Sequence, residues 1–207
     1  MVISIYGGSG SGKTTLATAL QQYFFNDGRG CYLLSGDDYP HRIPKRNDEE
    51  QLRVYKEAGE DGLRGYLGTK KEIDFARINE VLAAFHEGKD TITLRHLERE
   101  DGEISSEDTD FSGTSVLLLE WTHGGSDDLH GVDLSVFLES SPEETKERRI
   151  RRNRDENATS PFICRVVELE QEKLEVQRKN AGCIFFFLHS AEPVPFRSRP
   201  GIFSDRL

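Results

Sequence analysis

Short apolar runs and stretches of helical periodicity alternate along most of the chain. The apolar runs predict buried β-strands that begin at residue 2 and cover residues 31–34, 116–119, 133–138 and 183–188. Apolar residues at helical spacing predict helices at residues 13–25, 73–86 and 162–180. Strands that alternate with helices predict an α/β fold with a doubly wound parallel sheet.

Two segments interrupt this alternation. Residues 40–68 are polar and rich in glycine, and we expect a single helix there, near residues 48–58, capped by Asn47, in a mobile excursion over the site. Residues 91–97 alternate as a strand and are followed by a turn at residues 100–103. This pattern predicts a small hairpin added beside the main sheet.

The length of 207 residues suits one sizeable hydrophobic core. We expect one domain over residues 1–188, and a poorly ordered tail over residues 189–207, where prolines and arginines replace the periodic pattern. No apolar run is long enough to cross a bilayer, so we expect a cytoplasmic protein that makes no membrane contact. The three cysteines are far apart and are expected to be reduced packing residues.

A glycine-rich stretch follows the first predicted strand and carries the first candidate chemistry. From Gly7 it reads G-x-x-x-x-G-K-T, and a predicted helix follows directly. Such a loop lets backbone N–H groups turn toward phosphate, with Lys13 reaching the β- and γ-phosphates of ATP and the Thr14 hydroxyl binding Mg²⁺. The alternative is a Gly/Ser turn that binds nothing. The predicted nucleotide-binding residues are Gly7, Gly8, Ser9, Gly10, Ser11, Gly12, Lys13, Thr14 and Thr15.

The chain is acidic overall but contains one strongly basic segment. The formal net charge of −10 argues against a nucleic-acid partner. Residues 146–154, on a predicted helix that begins at Ser141 and Pro142, are strongly basic. Such a run is either a solvated helix face or a local pocket for an anion such as ATP, and the glycine-rich loop favours the pocket.

Acidic residues follow two of the predicted strands. Asp37, Asp38 and Tyr39 come after the strand at residues 31–34, and Glu120 comes directly after the strand at residues 116–119. Ligands of open parallel sheets bind beyond the carboxyl ends of the strands. We therefore expect these acids beside the glycine-rich loop, with Glu120 bound to Mg²⁺ or to its waters.

Four motifs together resemble the uridine kinase and phosphoribulokinase family of P-loop kinases. They are GGSGSGKTT, SGDDY after the second strand, LLLEWTHG after the third core strand, and RRIRRNRD on the basic helix. The resemblance covers most of residues 1–188. It implies a P-loop NTPase fold with a central sheet of order 2-3-1-4-5, helices on both faces, the added hairpin and a basic lid over the nucleotide.

The resemblance also implies roles for individual residues. Asp37 matches the family's catalytic aspartate, and Glu120 matches its acidic residue after the third core strand. Arg154 resembles the lid arginine, and either Arg149 or Arg151 would close with it over the transferring phosphoryl group.

The chain departs from uridine kinases at positions that recognise the nucleoside. Gly68 stands near the position of a family aspartate, and Arg95-His96 replaces a tyrosine-aspartate pair on the hairpin. After Arg154-Asp155 the chain lacks the usual arginine-glycine pair. These differences put nucleoside recognition in question and lie where a new substrate would need changes.

The leading hypothesis is an ATP- and Mg²⁺-dependent kinase that phosphorylates a hydroxyl of a small polar molecule, such as a sugar, a polyol or a nucleoside-like compound. Asp37 would accept the proton of that hydroxyl, while Lys13 and Arg154 would stabilise the transferring group. The candidate substrate contacts, each with a structural role as its alternative, are Asp38, Tyr39, Arg95, His96 and His123.

The competing hypothesis is a nucleotide-dependent switch or regulatory module that acts through a partner protein. A guanine-specific switch would carry an N-K-x-D segment late in the chain, and the sequence has none. Together with Asp37 and the basic run, this favours phosphoryl transfer. The assembly state is left open, and a homodimer is one option.

Overall fold

A computed structural model describes residues 1–98, 103–141, 143–146 and 160–186 of the chain. The strands are β1 (Val2–Gly7), β2 (Gly30–Ser35), β3 (Thr91–Glu98), β4 (Glu103–Asp110), β5 (Thr114–Trp121), β6 (Leu134–Glu139) and β7 (Cys183–Phe186). The longer helices are α1 (Lys13–Asn26), α2 (Pro44–Arg64), α3 (Phe75–His86) and α4 (Pro161–Gln177). A short 3₁₀ turn, Gly36–Asp38, follows β2 directly.

Five of the strands form a parallel sheet in the order β2-β5-β1-β6-β7. The labels differ from the expected 2-3-1-4-5 because β3 and β4 belong to the separate hairpin. Counted along the chain without them, the strands are second, third, first, fourth and fifth. The parallel order requires each connection to cross back over the sheet, which is how helices come to cover both faces.

The sheet is buried on both faces because its strands alternate between two cores. Val116 and Leu118 of β5 pack on the α1 side, together with apolar residues of β1 and β6. Leu117 and Leu119 pack on the opposite side, against the apolar face of α3. This period of two along a continuous apolar run is typical of a strand inside a parallel sheet.

Helix α2 differs most from its prediction. It begins at Pro44, whose fixed φ angle suits the first turn of a helix, and it runs to Arg64 with a kink at Gly59. Asn47 therefore lies inside the helix and is not its cap. The end of α2 and the residues after it pack against α4, with Leu63 in contact with the same cluster as Leu169. The segment is a packed helix, not the mobile excursion that we expected.

The next helices begin with side-chain caps. Asp74 accepts a hydrogen bond from the backbone N–H of Arg77 at 3.1 Å, and Ser160 accepts one from the N–H of Ile163 at 3.2 Å. The Asp74 cap places the start of α3 at Phe75, two residues later than predicted.

The predicted hairpin is present, with β3 and β4 paired antiparallel. Ile92 and Leu94 of β3 enter the core, so the hairpin packs by one face. Cys31 and Cys183 are free thiols packed against the core, whereas Cys164 is exposed, so the packing prediction is wrong for that residue. In the described ranges no helix combines the length and apolar character needed to cross a membrane. The predicted tail at 189–207 lies outside the described residues.

Candidate active site

The candidate site lies at the carboxyl ends of β1, β2 and β5. Glu120 of β5 pairs in register with both Ile5 of β1 and Ser35 of β2. The glycine-rich loop after β1, the 3₁₀ turn after β2 and the end of β5 therefore meet at one edge of the sheet, as predicted for a parallel fold.

The loop after β1 has a backbone that only glycine adopts easily. Gly7, Gly10 and Gly12 have φ angles of 152°, 81° and 97°. At Gly7, a Cβ atom would lie 2.5 Å from the carbonyl oxygen of Leu138, which is too close for any side chain. The glycines of the motif are therefore required by geometry.

Hydrogen-bonding groups of this loop point to an anion. Lys13 Nζ donates to the carbonyl oxygens of Gly7 and Gly8, both at 3.1 Å, which keeps the ammonium group at the loop. Helix α1 begins without a side-chain cap, and the buried Ser11 Oγ has no hydrogen-bond partner within the described residues. Uncapped N–H groups at the positive end of a helix, a cation and an unsatisfied hydroxyl together fit a bound phosphate.

The 3₁₀ turn holds Asp37 at the opening of a pocket. Gly36 packs against the ring of Trp121, where a Cβ atom would come within 2.1 Å of the indole. Because this contact presses the turn onto β5, Asp37 is left exposed beside the pocket that it helps to line.

The pocket has a volume of about 230 Å³. Its apolar lining includes Trp121, Ile73 and Leu97. Its polar lining comes from separate parts of the chain: Asp37, Arg42, Asn47, Asp48, Gln51, Glu72, His123 and Glu170. A pocket with convergent polar groups beside a phosphate loop is suited to a small polar ligand.

Glu72 is the centre of a buried hydrogen-bond network in this pocket. Only 6% of Glu72 is exposed. Its Oε1 accepts from Asn47 Nδ2 at 2.8 Å and from Gln51 Nε2 at 2.9 Å, while its Oε2 accepts from the Gly68 N–H at 2.6 Å. The hydroxyl of Tyr66 donates to Asn47 Oδ1 at 2.7 Å and extends the network.

His123 is a buried wall of the same pocket. Its ring meets Trp121 edge to face, and its Nδ1 has no hydrogen-bond partner among the described residues. Burial, reinforced by the charges of Lys13 and Lys173, lowers the pKa of His123 below its ordinary value, while Glu72 and Asp37 act in the opposite direction. The imidazole is therefore neutral at neutral pH.

The other predicted substrate contacts lie differently. The Tyr39 side chain is completely buried in the core, where burial raises its pKa to about 12. Arg95 Nη2 donates to the carbonyl oxygen of Pro40 at 2.7 Å, which anchors the segment after the 3₁₀ turn. These positions agree with the structural alternative for both residues, and a contact with substrate stays a prediction. Asp38 is half-buried, and His96 lies 3.8 Å from Glu107 on the hairpin.

Two predicted metal ligands lie at the same edge of the sheet. Thr14 is exposed in the first turn of α1, and Glu120 is half-buried at the end of β5. Hydroxyl and carboxylate oxygens suit Mg²⁺, which binds few protein ligands when phosphate oxygens complete its coordination. The predicted lid residues Arg149, Arg151 and Arg154 lie outside the described residues.

Sequence reasoning missed Glu72, Gln51 and Arg42 as pocket residues, and assigned Asn47 to a cap. Asn47 and Gln51 are four residues apart and lie on one face of α2. A prediction that began the helix at Pro44 would have placed these two polar side chains together. Glu72 lies 21 residues from Gln51 in the sequence, and no spacing rule connects them.

Two larger pockets lie away from this chemistry. One, of about 470 Å³, is lined by α3 and β3, and another, of about 420 Å³, lies between the ends of α2 and α4. Neither includes a residue of the phosphate loop or Asp37. Size alone therefore does not identify the site.

Comparison with known proteins places these features in a family context. The family model of the phosphoribulokinase/uridine kinase family matches residues 2–160. Over 184 residues, 89% of this chain, the sequence is 90% identical to the bifunctional alpha-galactosidase/sucrose kinase AgaSK of Mediterraneibacter gnavus. The match covers 20% of that protein, so the chain spans about a fifth of the length of this curated relative.

Solved structures show the same fold at low identity. A possible uridine kinase from Bacillus stearothermophilus has a TM-score of 0.62 and 21% identity, over 89% of this chain and 88% of that one. Phosphoribulokinase from Rhodobacter spheroides has a TM-score of 0.67 and 18% identity, over 89% of this chain and 69% of that one. These similarities confirm the predicted P-loop kinase fold.

Proposed function

Because the chain belongs to the phosphoribulokinase/uridine kinase family, we propose that it transfers the γ-phosphoryl group of Mg-ATP to a hydroxyl of an uncharged sugar. Family membership confirms the resemblance predicted from the motifs and makes the chain a phosphotransferase of the kinase type. The observation that carries the proposal is the position of a polar pocket, lined by Asp37, at the same sheet edge as the phosphate loop.

In the proposed reaction the loop holds the nucleotide. Backbone N–H groups of residues 7–15 and the Lys13 ammonium would bind the phosphates, and the Thr14 hydroxyl and Glu120 would hold Mg²⁺ or its waters. The nucleotide supplies the phosphoryl group. Lys13 would offset negative charge in the transition state, where a fixed cation contributes most because the loop already positions it.

Asp37 is the residue that we assign to the acceptor hydroxyl. It is exposed at the end of β2 and lines the acceptor pocket. A carboxylate within hydrogen-bond reach of the hydroxyl would take its proton as the new P–O bond forms. Most of the remaining rate enhancement in this type of reaction comes from positioning the two substrates.

The charges of the pocket favour an acceptor without a phosphate group. Four carboxylates line it, from Asp37, Asp48, Glu72 and Glu170, against the guanidinium of Arg42. Arg42 Nη2 in turn lies 3.6 Å from Glu50, which offsets part of its charge. A phosphorylated acceptor would be repelled at this site, whereas the hydroxyls of a neutral sugar find many acceptors of hydrogen bonds.

The name of the bacterial relative gives sucrose as the first acceptor to test. The deciding experiment measures acceptor-dependent ADP release with sucrose, other neutral sugars, their phosphate esters, polyols and nucleosides. We expect turnover with a neutral sugar and none with its phosphate ester. Asp37→Asn should lower this turnover about 100-fold or more, while ATP affinity stays within a few-fold, since the loop supplies it.

A matched control is Asp61→Asn, because the Asp61 side chain is almost fully exposed on α2 and does not line the pocket. It should leave turnover unchanged. If no acceptor on the panel stimulates ADP release, the kinase proposal fails and the regulatory hypothesis is favoured. If Asp37→Asn retains full turnover, Asp37 is not the base.

A further inference from the structure

The burial of the Glu72 carboxylate in this pocket needs a physical explanation. Among the described residues it forms no ion pair within 4.0 Å, although burial of an unpaired charge is costly. Its oxygens are instead satisfied by three N–H donors, from Asn47, Gln51 and Gly68. A carboxylate held in this way costs stability that an apolar residue of similar size would not, so a role in the pocket is the stronger explanation.

The network fixes which way the two amide side chains point. Because Glu72 accepts from the nitrogen atoms of Asn47 and Gln51, their oxygen atoms face elsewhere. Asn47 Oδ1 is taken by the Tyr66 hydroxyl. Gln51 Oε1 has no donor among the described residues, and Gln51 lines the pocket. Glu72 therefore presents one amide oxygen of α2 to the pocket as a hydrogen-bond acceptor.

The pocket lining includes a second group without a partner among the described residues. His123 is 6% exposed, and its Nδ1 has no partner among the residues that the structure describes. The ring is held in place by Trp121 on one side and by Gly68 on the other, and the N–H of Gly68 donates to Glu72. One carboxylate thus supports both pocket residues, Gln51 directly and His123 through Gly68.

We propose that Glu72 is the positioning residue of the acceptor pocket, and that it orients Gln51 and supports His123 so that these two side chains bind hydroxyl groups of a neutral sugar. A hydroxyl both donates and accepts, so it can satisfy Gln51 Oε1 and His123 Nδ1 alike. The inference rests on the proposed function for the identity of the acceptor.

The test uses direct binding as well as turnover. Trp121 is the one tryptophan of the chain and it lines the pocket, so its fluorescence reports sugar binding without catalysis. In Glu72→Gln the carboxylate becomes an amide that cannot accept from all three donors. We expect Kd and KM for sucrose to rise about tenfold, as for one or two lost hydrogen bonds, with kcat and KM for ATP within about threefold.

A control variant and a second substitution separate positioning from simple damage. Glu80→Gln removes an exposed carboxylate of α3 that pairs with Arg77, and sucrose binding should not change. Gln51→Leu should raise Kd for sucrose by a similar factor. Because Glu72 acts through Gln51 as well as His123, the double variant should bind little more weakly than Glu72→Gln alone. A merely structural role would lower the melting temperature and kcat and leave KM unchanged.

The outcomes are distinguishable from those of the proposed function. If wild type shows no turnover but binds sucrose, and Glu72→Gln binds it more weakly, the kinase proposal fails and this inference holds. Turnover in wild type with unchanged Kd and KM in Glu72→Gln would overturn the inference alone. If Glu72→Gln does not fold, Gln51→Leu decides, since unaltered binding in that variant also overturns it. Absence of any sugar binding to wild type refutes both.

Discussion

The phosphate loop and the acceptor pocket lie side by side but are built in opposite ways. The loop is one continuous stretch, residues 7–15, and in the proposed function it binds phosphate mainly with backbone atoms whose directions are set by glycine φ angles. The pocket is assembled from side chains of the 3₁₀ turn, α2, the residues before α3, the end of β5 and α4. A substitution in the pocket can therefore change the ligand while the backbone stays the same.

This difference explains how one fold can keep its nucleotide and change its acceptor. Three of the loop glycines, Gly7, Gly10 and Gly12, have positive φ angles, and Gly7 also approaches the Leu138 carbonyl oxygen too closely for a side chain. In the pocket, the specificity that we propose depends on hydrogen bonds such as those of Glu72, each of which a single substitution can remove. Loop variants should lose activity with every acceptor, whereas pocket variants should lose affinity for particular acceptors.

The largest effect is expected at the loop. Lys13→Ala removes the ammonium group that the carbonyl oxygens of Gly7 and Gly8 hold at the phosphate site. Turnover should fall about 100- to 1,000-fold with every acceptor, because the charge stabilises the transferring group whatever receives it. Acceptor-dependent ADP release measures the loss, and sugar binding followed by Trp121 fluorescence should be unchanged.

Lys56→Ala is the matched control, since Lys56 is exposed on α2. It should retain wild-type turnover and melting temperature. A Lys13→Ala variant that loses activity with one acceptor and keeps it with another would break the distinction between loop and pocket.

A smaller and acceptor-specific effect is expected at Gly68. Its φ angle is 63°, and a Cβ atom there would lie 2.7 Å from His123 Cε1 and 2.8 Å from Nδ1. Gly68→Ala should displace the imidazole and weaken sugar binding about tenfold, in addition to a loss of about 1–2 kcal/mol of folding free energy for a left-handed alanine. Trp121 fluorescence titration and urea unfolding measure the two effects.

Gly88→Ala separates backbone strain from the collision. Gly88 has a φ angle of 73° with nothing within 4 Å of the added methyl, so it should lose similar stability and keep sugar affinity. Equal sugar affinity in the two variants would show that His123 does not need its present position.

The smallest effect concerns pH. The buried His123 has a lowered pKa, with Lys13 and Lys173 adding to the effect of burial and Glu72 and Asp37 opposing it. The unfolded chain therefore takes up a proton at a pH where the folded protein does not. Stability from this source is fully present above about pH 6.5, the ordinary value for histidine, and is lost as pH falls toward the lowered pKa.

Urea unfolding of wild type and His123→Gln at about pH 7.5 and about pH 5.5 tests whether His123 lowers stability on acidification. Wild type should lose more stability than the variant on acidification. The same loss in both proteins would show that other groups, such as carboxylates, account for the whole dependence.

Much of the nucleotide side could be predicted because its causes are local. The glycine spacing dictates the loop, and the apolar run before it dictates β1. The positions of Asp37 and Glu120 followed from a rule that needs no contacts, since parallel strands end at the same edge. Helix α2 was predicted too short because polar helix positions resemble a loop until the partner helix α4 is known.

What the sequence determined by itself was thus the P-loop fold, its family and the edge of the sheet where chemistry would occur. Only the tertiary structure decided that Arg95 supports the Pro40 segment, that Tyr39 is sealed in the core, and that Glu72 meets Asn47 and Gln51. The physical reason is that the φ angles of the loop and the alternation of strands with helices depend on neighbouring residues. Burial and hydrogen-bond partnership arise when segments 20 or more residues apart pack together, as the separations of 21 and 25 residues around Glu72 show.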